Sequence, residues 1–241
     1  MPISKTYNPK STEPFKLSRT KIDDYTKCPR CFYLDRRLGI GHPKGPGFSL
    51  NSAVDALLKK EFDIHRAKGT AHPLMKQYGL DLKPLAHEKM DDWRENFKGV
   101  QYFHEPTGFL LFGAVDDIWV DKKGVLYVVD YKATSSASDF DLESEYKQGY
   151  KRQLEIYQWL LRHNGFKVSD TGYFVACNGR KDRAAFDGKL EFKIEIVPYK
   201  GDDSWVEKKI LAAHKCLCAS KPPKAGSGCE FCGYVEKAGK Y

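Results

Sequence analysis

Asp116, Asp117, Asp130 and Lys132 carry the most informative chemistry in this chain. "GAVDDIWV" holds the first two, and "VLYVVDYKAT" ends an apolar run on the other two. That run is rich in β-branched and aromatic residues, as a buried strand requires. Residues two apart on a strand face the same way, so an acid and an ammonium are held side by side against a core. The connection "DKKG" decides what faces them. If residues 122–124 form a three-residue loop with Gly124 left-handed, Asp121 pairs with Val125 and Asp116 falls opposite Asp130. A loop of two or four residues flips the parity and presents Asp117 instead. Two carboxylates that close repel each other unless a cation lies between them. Magnesium or manganese prefers such oxygen ligands, and a divalent ion held there acidifies water into an attacking hydroxide. With Lys132 to orient that water or meet charge on a phosphate, the set suits metal-dependent hydrolysis of a phosphodiester. The bland alternative is a surface ion pair at a strand end, common in a chain with 30% charged residues.

A second constellation is made of thiols. "CPRC" supplies Cys28 and Cys31, and "CEFC" supplies Cys229 and Cys232. Two CxxC pairs have the spacing of four-thiolate zinc or iron–sulfur sites. About two hundred residues separate them, which is unusual for a zinc ribbon and natural for a clasp tying two ends of a domain together. Cys216 and Cys218, in "HKCLCAS", are further candidates, and Cys177 in the apolar "YFVACN" reads as a core residue.

The elements that must position these groups follow from pattern. Residues 1–16 are polar and rich in proline, and read as a flexible arm ahead of a single domain over 17–241. A helix opens after Ser18, with Leu17 and Ile22 spaced as a hydrophobic staple, and Pro29 should kink or end it at the first cysteine pair. "FSLNSAVDALLKKEFDIHRA" places Leu50, Val54, Leu57, Leu58 and Phe62 at helical spacing, and residues 84–98 read as another helix. "GFLLFGAVDDIWV" and "VLYVVDYKAT" read as two strands, followed by a helix from "YKQGYKRQLEIYQWLLRHNGF" that closes at Asn164-Gly165. Two more strands, a last helix and a tail with proline and cysteine complete a mixed α/β sheet flanked by helices.

Composition narrows the function classes. With 41% hydrophobic residues, the chain has the make-up of a soluble globular protein. It shows neither a membrane span nor the apolar stretch of a signal peptide, so a cytoplasmic location is expected, where paired thiols mean metal or redox chemistry more often than disulfides. Lys plus Arg is 40 against 32 for Asp plus Glu, a net charge of +8 that suits an anionic partner such as nucleic acid. No G-x-x-x-x-G-K-[ST] is present to suggest an ATP-driven motor. Arg180, Lys181 and Arg183, and the group Lys147, Lys151 and Arg152, are candidates for phosphate contacts or simply a solvated surface.

In order, "GAVDDIWV", "VVDYKAT" and "QLEIY" resemble the successive motifs of the PD-(D/E)XK nuclease superfamily, in its RecB-like and CRISPR-associated exonuclease branch. The resemblance runs over roughly residues 17–235, and no motif is recognised from 65 to 105. It implies a restriction-endonuclease-like core with Asp116 and Asp130 as metal ligands, Lys132 assisting the nucleophile, and Gln153 and Tyr157 on the following helix positioning substrate or lysine. At i and i+4 these last two share a face with Tyr146, Tyr150 and Leu161. The family's upstream histidine ligand, in a G-x-x-x-H-like context, is missing: Asn51 replaces the glycine and Asp55 stands where histidine would fall. Asp55 is either an oxygen ligand or the i,i+4 partner of Lys59.

The same branch holds a 4Fe-4S cluster with one cysteine before the core and three after. Here the matching set becomes two plus two, with Cys31 replacing the absent last cysteine, and zinc is the alternative metal. The implied activity is a Mg²⁺- or Mn²⁺-dependent deoxyribonuclease, exonuclease rather than endonuclease. Its expected substrate is DNA that is single-stranded or has free ends, with RNA left open. Repair, recombination or CRISPR-type processing, with protein partners in such a complex, is the implied setting. Two other readings stand beside it: a non-catalytic nucleic-acid-binding protein of the same fold, and a zinc-clasped interaction module.

Overall fold

The computed structural model describes residues 6–43, 45, 47, 49–136, 140–144 and 147–241. In chain order the elements are β1 (Phe15–Ser18), α1 (Arg19–Lys27), α2 (Pro29–Leu38), α3 (Ser49–Lys68) and α4 (Pro73–Gln77). Then come β2 (Lys83–Pro84), α5 (Met90–Arg94), β3 (Val100–His104), β4 (Phe109–Gly113), β5 (Asp117–Val120) and β6 (Leu126–Thr134). The chain finishes with α6 (Gln148–His163), β7 (Thr171–Gly179), β8 (Phe192–Lys200), α7 (Val206–Cys218) and α8 (Glu230–Ala238). No helix among the described residues is long and apolar enough to cross a membrane.

Two compact units are built from interleaved segments. The first comprises 1–46, 101–113 and 203–241. Its small sheet has the order β1-β4-β3, with β1 parallel to β4. Leu17, Phe109 and Leu111 are fully buried there, as are Ile210, Ala213 and Leu217 of α7. Pro29 does separate two helices: it takes the first position of α2, where its missing N–H costs nothing. Gly39, left-handed at φ 74°, closes that helix.

The second unit comprises 47–100 and 114–202. Its five-stranded sheet has the order β2-β5-β6-β7-β8, parallel between β6 and β7 and antiparallel elsewhere. The parallel pair needs a crossover, and α6 provides it. Alternation along β6 separates two faces. Val129 and Tyr131 point into an apolar cluster with Leu58 and Phe62 of α3, Trp119, Val175, Cys177 and Ile196. Asp130 points the other way, toward α6, where the Gln153 side chain meets it.

Several expectations change. Two residues of the stretch 6–16 are packed: Tyr7 is buried, lies edge-on against Phe15 and Phe109, and its N–H donates to the Arg36 carbonyl, while residues 8–14 between Tyr7 and Phe15 are exposed. The apolar spacing of Tyr7, Phe15 and Leu17 is too sparse to register as a periodic element, yet each finds a core. Residues 1–5 and Tyr146 lie outside the described residues. The expected strand 108–120 is two strands in two sheets, broken at 114–116 where the Val115 N–H turns to the Trp93 carbonyl. The expected helix 84–98 shrinks to α5, because Lys83 and Pro84 pair with β5. Leu50 and Leu57 are exposed, since only Val54, Leu58 and Phe62 of that stripe reach the sheet. The C-terminal tail contains a helix, α8.

The turn at 122–124 sets the register. The Asp121 N–H donates to the Val125 carbonyl at 3.1 Å, and Gly124 is left-handed at φ 76°. Asp117 then pairs with Val129 and Val120 with Leu126. An alanine at Gly124 has space but not the backbone freedom. Gly124→Ala should therefore cost about 1–2 kcal/mol, read as a lower urea midpoint with unchanged slope; a changed slope would instead show that the register itself had shifted.

Candidate functional site

The turn places two neighbouring aspartates on opposite sides of one sheet. Asp116 sits just before β5, one step beyond the Asp117–Val129 pair, and so lies against Asp130. Its Oδ2 accepts the Tyr131 backbone N–H at 2.9 Å. Asp117 faces the apolar side instead, fully buried, and is neutralised there by Arg66 at 2.6 Å and Arg94 at 3.2 Å. The Tyr131 hydroxyl donates to it at 2.8 Å, and Asp63 bridges the same two arginines. Asp117 is thus a structural anion; the three-residue loop puts Asp116 on the face of Asp130.

Around Asp116 the structure gathers the other expected residues. Asp130 is fully buried, ion-paired with Lys132, and accepts the Gln153 amide at 2.8 Å on Oδ1. The same amide nitrogen donates to the Tyr157 hydroxyl at 3.2 Å, while Gln153 Oε1 accepts from Lys132 Nζ at 3.5 Å. Lys132 also lies 4.6 Å above the Tyr150 ring. The i,i+4 spacing on α6 therefore fixes both the acid and the base of the D-x-K strand.

Asp55 and Lys59 of α3 complete the group, and the two readings of Asp55 are not exclusive. Lys59 pairs with Asp55 at 2.8 Å and reaches Asp116 at 3.5 Å. Burial, then the Asp116 charge, raises the Asp55 pKa, so the two carboxylates feel each other. Asn51, in the glycine position, donates to the Ala133 carbonyl at 3.0 Å and ties α3 to the end of β6. Lys59 was legible only as a helix-surface partner; its second contact depends on tertiary placement. Arg66 and Arg94 left no sequence signal.

The donor set fits a hard divalent cation. Asp116 stands against Asp130 and shares Lys59 with Asp55, although the three carboxylates are not drawn together as closely as the cysteines are; beyond its ion pair with Lys132 the buried Oδ2 of Asp130 accepts no hydrogen bond among the described residues. Burial pushes the Asp130 carboxyl up to about 7; Lys132 pulls it down and Asp116 pushes it further up. Burial also works against the Lys132 charge, but Asp130 and Asp116 more than offset it and its pKa is raised.

The four clasp cysteines come together, every sulfur within 4.8 Å of the others. Cys31 Sγ lies 3.5 Å from both Cys229 and Cys232, and Cys28 lies 3.8 Å from Cys232. Thiolates bound at ~2.3 Å around one tetrahedral ion stand about 3.8 Å apart. In a 4Fe-4S cube each thiolate holds a different iron, so the sulfurs spread wider; the four cysteines here are placed to bind a metal. Burial alone would raise the Cys28 thiol, but the Gly226 and Cys31 N–H groups outweigh it and bring it down to about 7. A Cβ on Gly226 would collide with the Lys27 carbonyl, so only glycine lets that N–H reach the sulfur. Cys216 and Cys218 stay outside the group: Cys216 faces the Pro29 carbonyl and Cys218 the His214 ring.

Of the candidate phosphate contacts, Arg180 is held by Asp182, Arg183 by Glu191 and Lys151 by Glu143.

Two opposite effects on stability follow from the two aspartates. An unfolded aspartate titrates near 4. Raising the pH from about 4 to 7 therefore deprotonates the unfolded chain before Asp130, and the metal-free fold loses stability across that window. In EDTA, Asp130→Asn should remove this loss, its melting temperature falling less than that of wild type between about pH 4 and 7. Asp117→Asn should instead lose about 3–5 kcal/mol, because Arg66 and Arg94 keep their buried charge without its anion. Thermal melts of both variants across pH check the pair.

The family model of the PD-(D/E)XK nuclease superfamily matches residues 16–236. No curated protein matches the chain. The match spans the clasp, the acidic hairpin and α6 in the order the motifs require. This chain belongs to the PD-(D/E)XK nuclease superfamily.

Proposed function

We propose that this chain is a Mg²⁺- or Mn²⁺-dependent deoxyribonuclease of RecB-like type, working on single strands or free ends, with residues 17–241 acting as one catalytic domain. The observation that carries this reading is Asp116 set against the buried Asp130, beside Lys132 and Gln153, with Lys59 linking Asp116 to Asp55. Asp116 and Asp130 hold the cation, with Asp55 as a third oxygen donor. A bound divalent cation would supply positive charge against the phosphate and acidify water. Lys132 keeps its proton at Nζ and meets the charge that develops on the phosphate oxygens. Gln153 orients Asp130 and Lys132 together, and Tyr157 holds Gln153 through its hydroxyl.

One observation favours a second reading, a non-catalytic nucleic-acid-binding protein. Lys59 already neutralises Asp55 and Asp116, taking a cation's place between them. Incubation of labelled single-stranded and duplex DNA, and of RNA, with Mn²⁺ separates the two. Cleavage is expected from wild type, falling roughly hundredfold or more in Asp130→Ala. Absence of metal-dependent cleavage on every substrate would remove the enzyme and leave the binder.

The clasp is proposed to hold one tetrahedral zinc ion. Anaerobically purified protein should be colourless and contain about one zinc per chain. A brown protein with iron, sulfide and absorption near 400 nm would identify the 4Fe-4S cluster instead.

A further inference from the structure

Beyond the acidic centre, the second unit has a cavity of about 740 Å³ lined by Ser136, Asn178, Gly179, Arg180, Lys181, Asp182 and Lys193. Three cations and one acid line it, with Arg180 paired to Asp182 and Lys193 to Glu195 at 3.1 Å, so Lys181 carries the uncompensated charge. Its position follows from register. On β6, Asp130, Lys132 and Thr134 alternate onto one face. Their partners on β7 are Phe174, Ala176 and Asn178, and the next partners on β8 are Val197, Glu195 and Lys193. Directly paired residues share a face, so Asn178 and Lys193 stand on the same side of the sheet as the Asp130–Lys132 pair. The Thr134–Asn178–Lys193 row lies about 7 Å along the strands from Lys132.

The groups in this cavity are suited to an oxyanion. Lys181 is exposed and has no ion-pair partner among the described residues. Arg180 is fastened by Asp182 through two hydrogen bonds, at 3.1 and 2.7 Å, which fix its guanidinium and compensate its charge. Asn178 and Ser136 lock each other through paired backbone contacts at 2.8 and 3.1 Å, giving the cavity a rigid floor. A cleavage centre that attacks one phosphate of a strand must hold the phosphates beside it, and those groups carry charge but no sequence.

We infer that this cavity is a phosphate-binding subsite that holds the substrate strand beyond the scissile position, with Lys181 as its first cationic contact and Lys193, shared with Glu195, as its second. The inference rests on the nucleic-acid reading above and extends it to a path: the strand runs from Lys132 along β6 and β7 toward the loop after β7. Recognition there is through the backbone phosphate, so it is blind to base identity.

The test is equilibrium binding of a fluorescein-labelled single strand of about a dozen nucleotides, within the usual span of one such site, followed by anisotropy in EDTA. Three proteins are compared: wild type, Lys181→Ala/Lys193→Ala, and Lys122→Ala/Lys123→Ala, which removes equal charge at the opposite end of β6. The first pair should weaken binding roughly tenfold and flatten the salt dependence by about one unit for each phosphate no longer neutralised. The control pair should leave both nearly unchanged. Equal losses from the two pairs would reduce the effect to overall charge and overturn the subsite, as would unchanged binding in the first. Binding that behaves as expected without any metal-dependent cleavage would uphold the subsite while removing the nuclease assignment. A wild type that binds no strand would remove both.

Discussion

The pleat of a β-strand forces neighbouring side chains to opposite faces, and the pair Asp116–Asp117 turns this into a division of labour. One carboxylate is delivered to a polar pocket and the other to the apolar side of the same sheet. Each face then had to be built around the charge it received. On the apolar side two arginines from different helices and a tyrosine hydroxyl surround Asp117, so its charge is fully compensated. On the polar side compensation is left to lysines, whose flexible stems can yield to an incoming cation more readily than a fixed guanidinium fork.

The polar face is accordingly strained in an electrostatic rather than a steric sense. Asp130 is wholly removed from solvent and stands against another carboxylate, an arrangement that a fold would avoid if stability were its only demand. Lys132 relieves part of that tension through its ion pair. Gln153 uses one end of its amide on the acid and the other on the lysine, which leaves Asp130 Oδ2 with no hydrogen bond beyond its ion pair.

Much of this was legible in the sequence, and the parts that were not share a cause. The hairpin register could be read because a three-residue loop with a left-handed glycine is a local rule, and local rules survive in sequence. The Gln153–Tyr157 face and the break at Pro29 are local in the same way. What escaped depends on distant chain segments meeting. Arg66 and Arg94 look like ordinary surface cations until Asp117 is placed between them. Lys59 looks like the partner of Asp55 alone until β5 arrives. Tyr7 and Phe15 lie in a stretch too polar to suggest a core, and gain one only from Phe109. The strand 108–120 read as continuous because hydrophobic pattern says nothing about which sheet a strand joins.

The interleaving of the two units has a consequence for how the chain is made. Unit 2 ends at Asp202, so all of its strands have been synthesised before α7 and α8 exist. Domains fold as units on a chain that emerges from its N-terminal end, so the acidic hairpin and α6 can reach their native places first. The unit carrying Cys28 and Cys31 must wait for Cys229 and Cys232, held open across everything synthesised between. Joining the two pairs closes a very long loop, whose entropic cost grows only logarithmically with length. The four thiols thus form a lock that engages only after the second unit has been made.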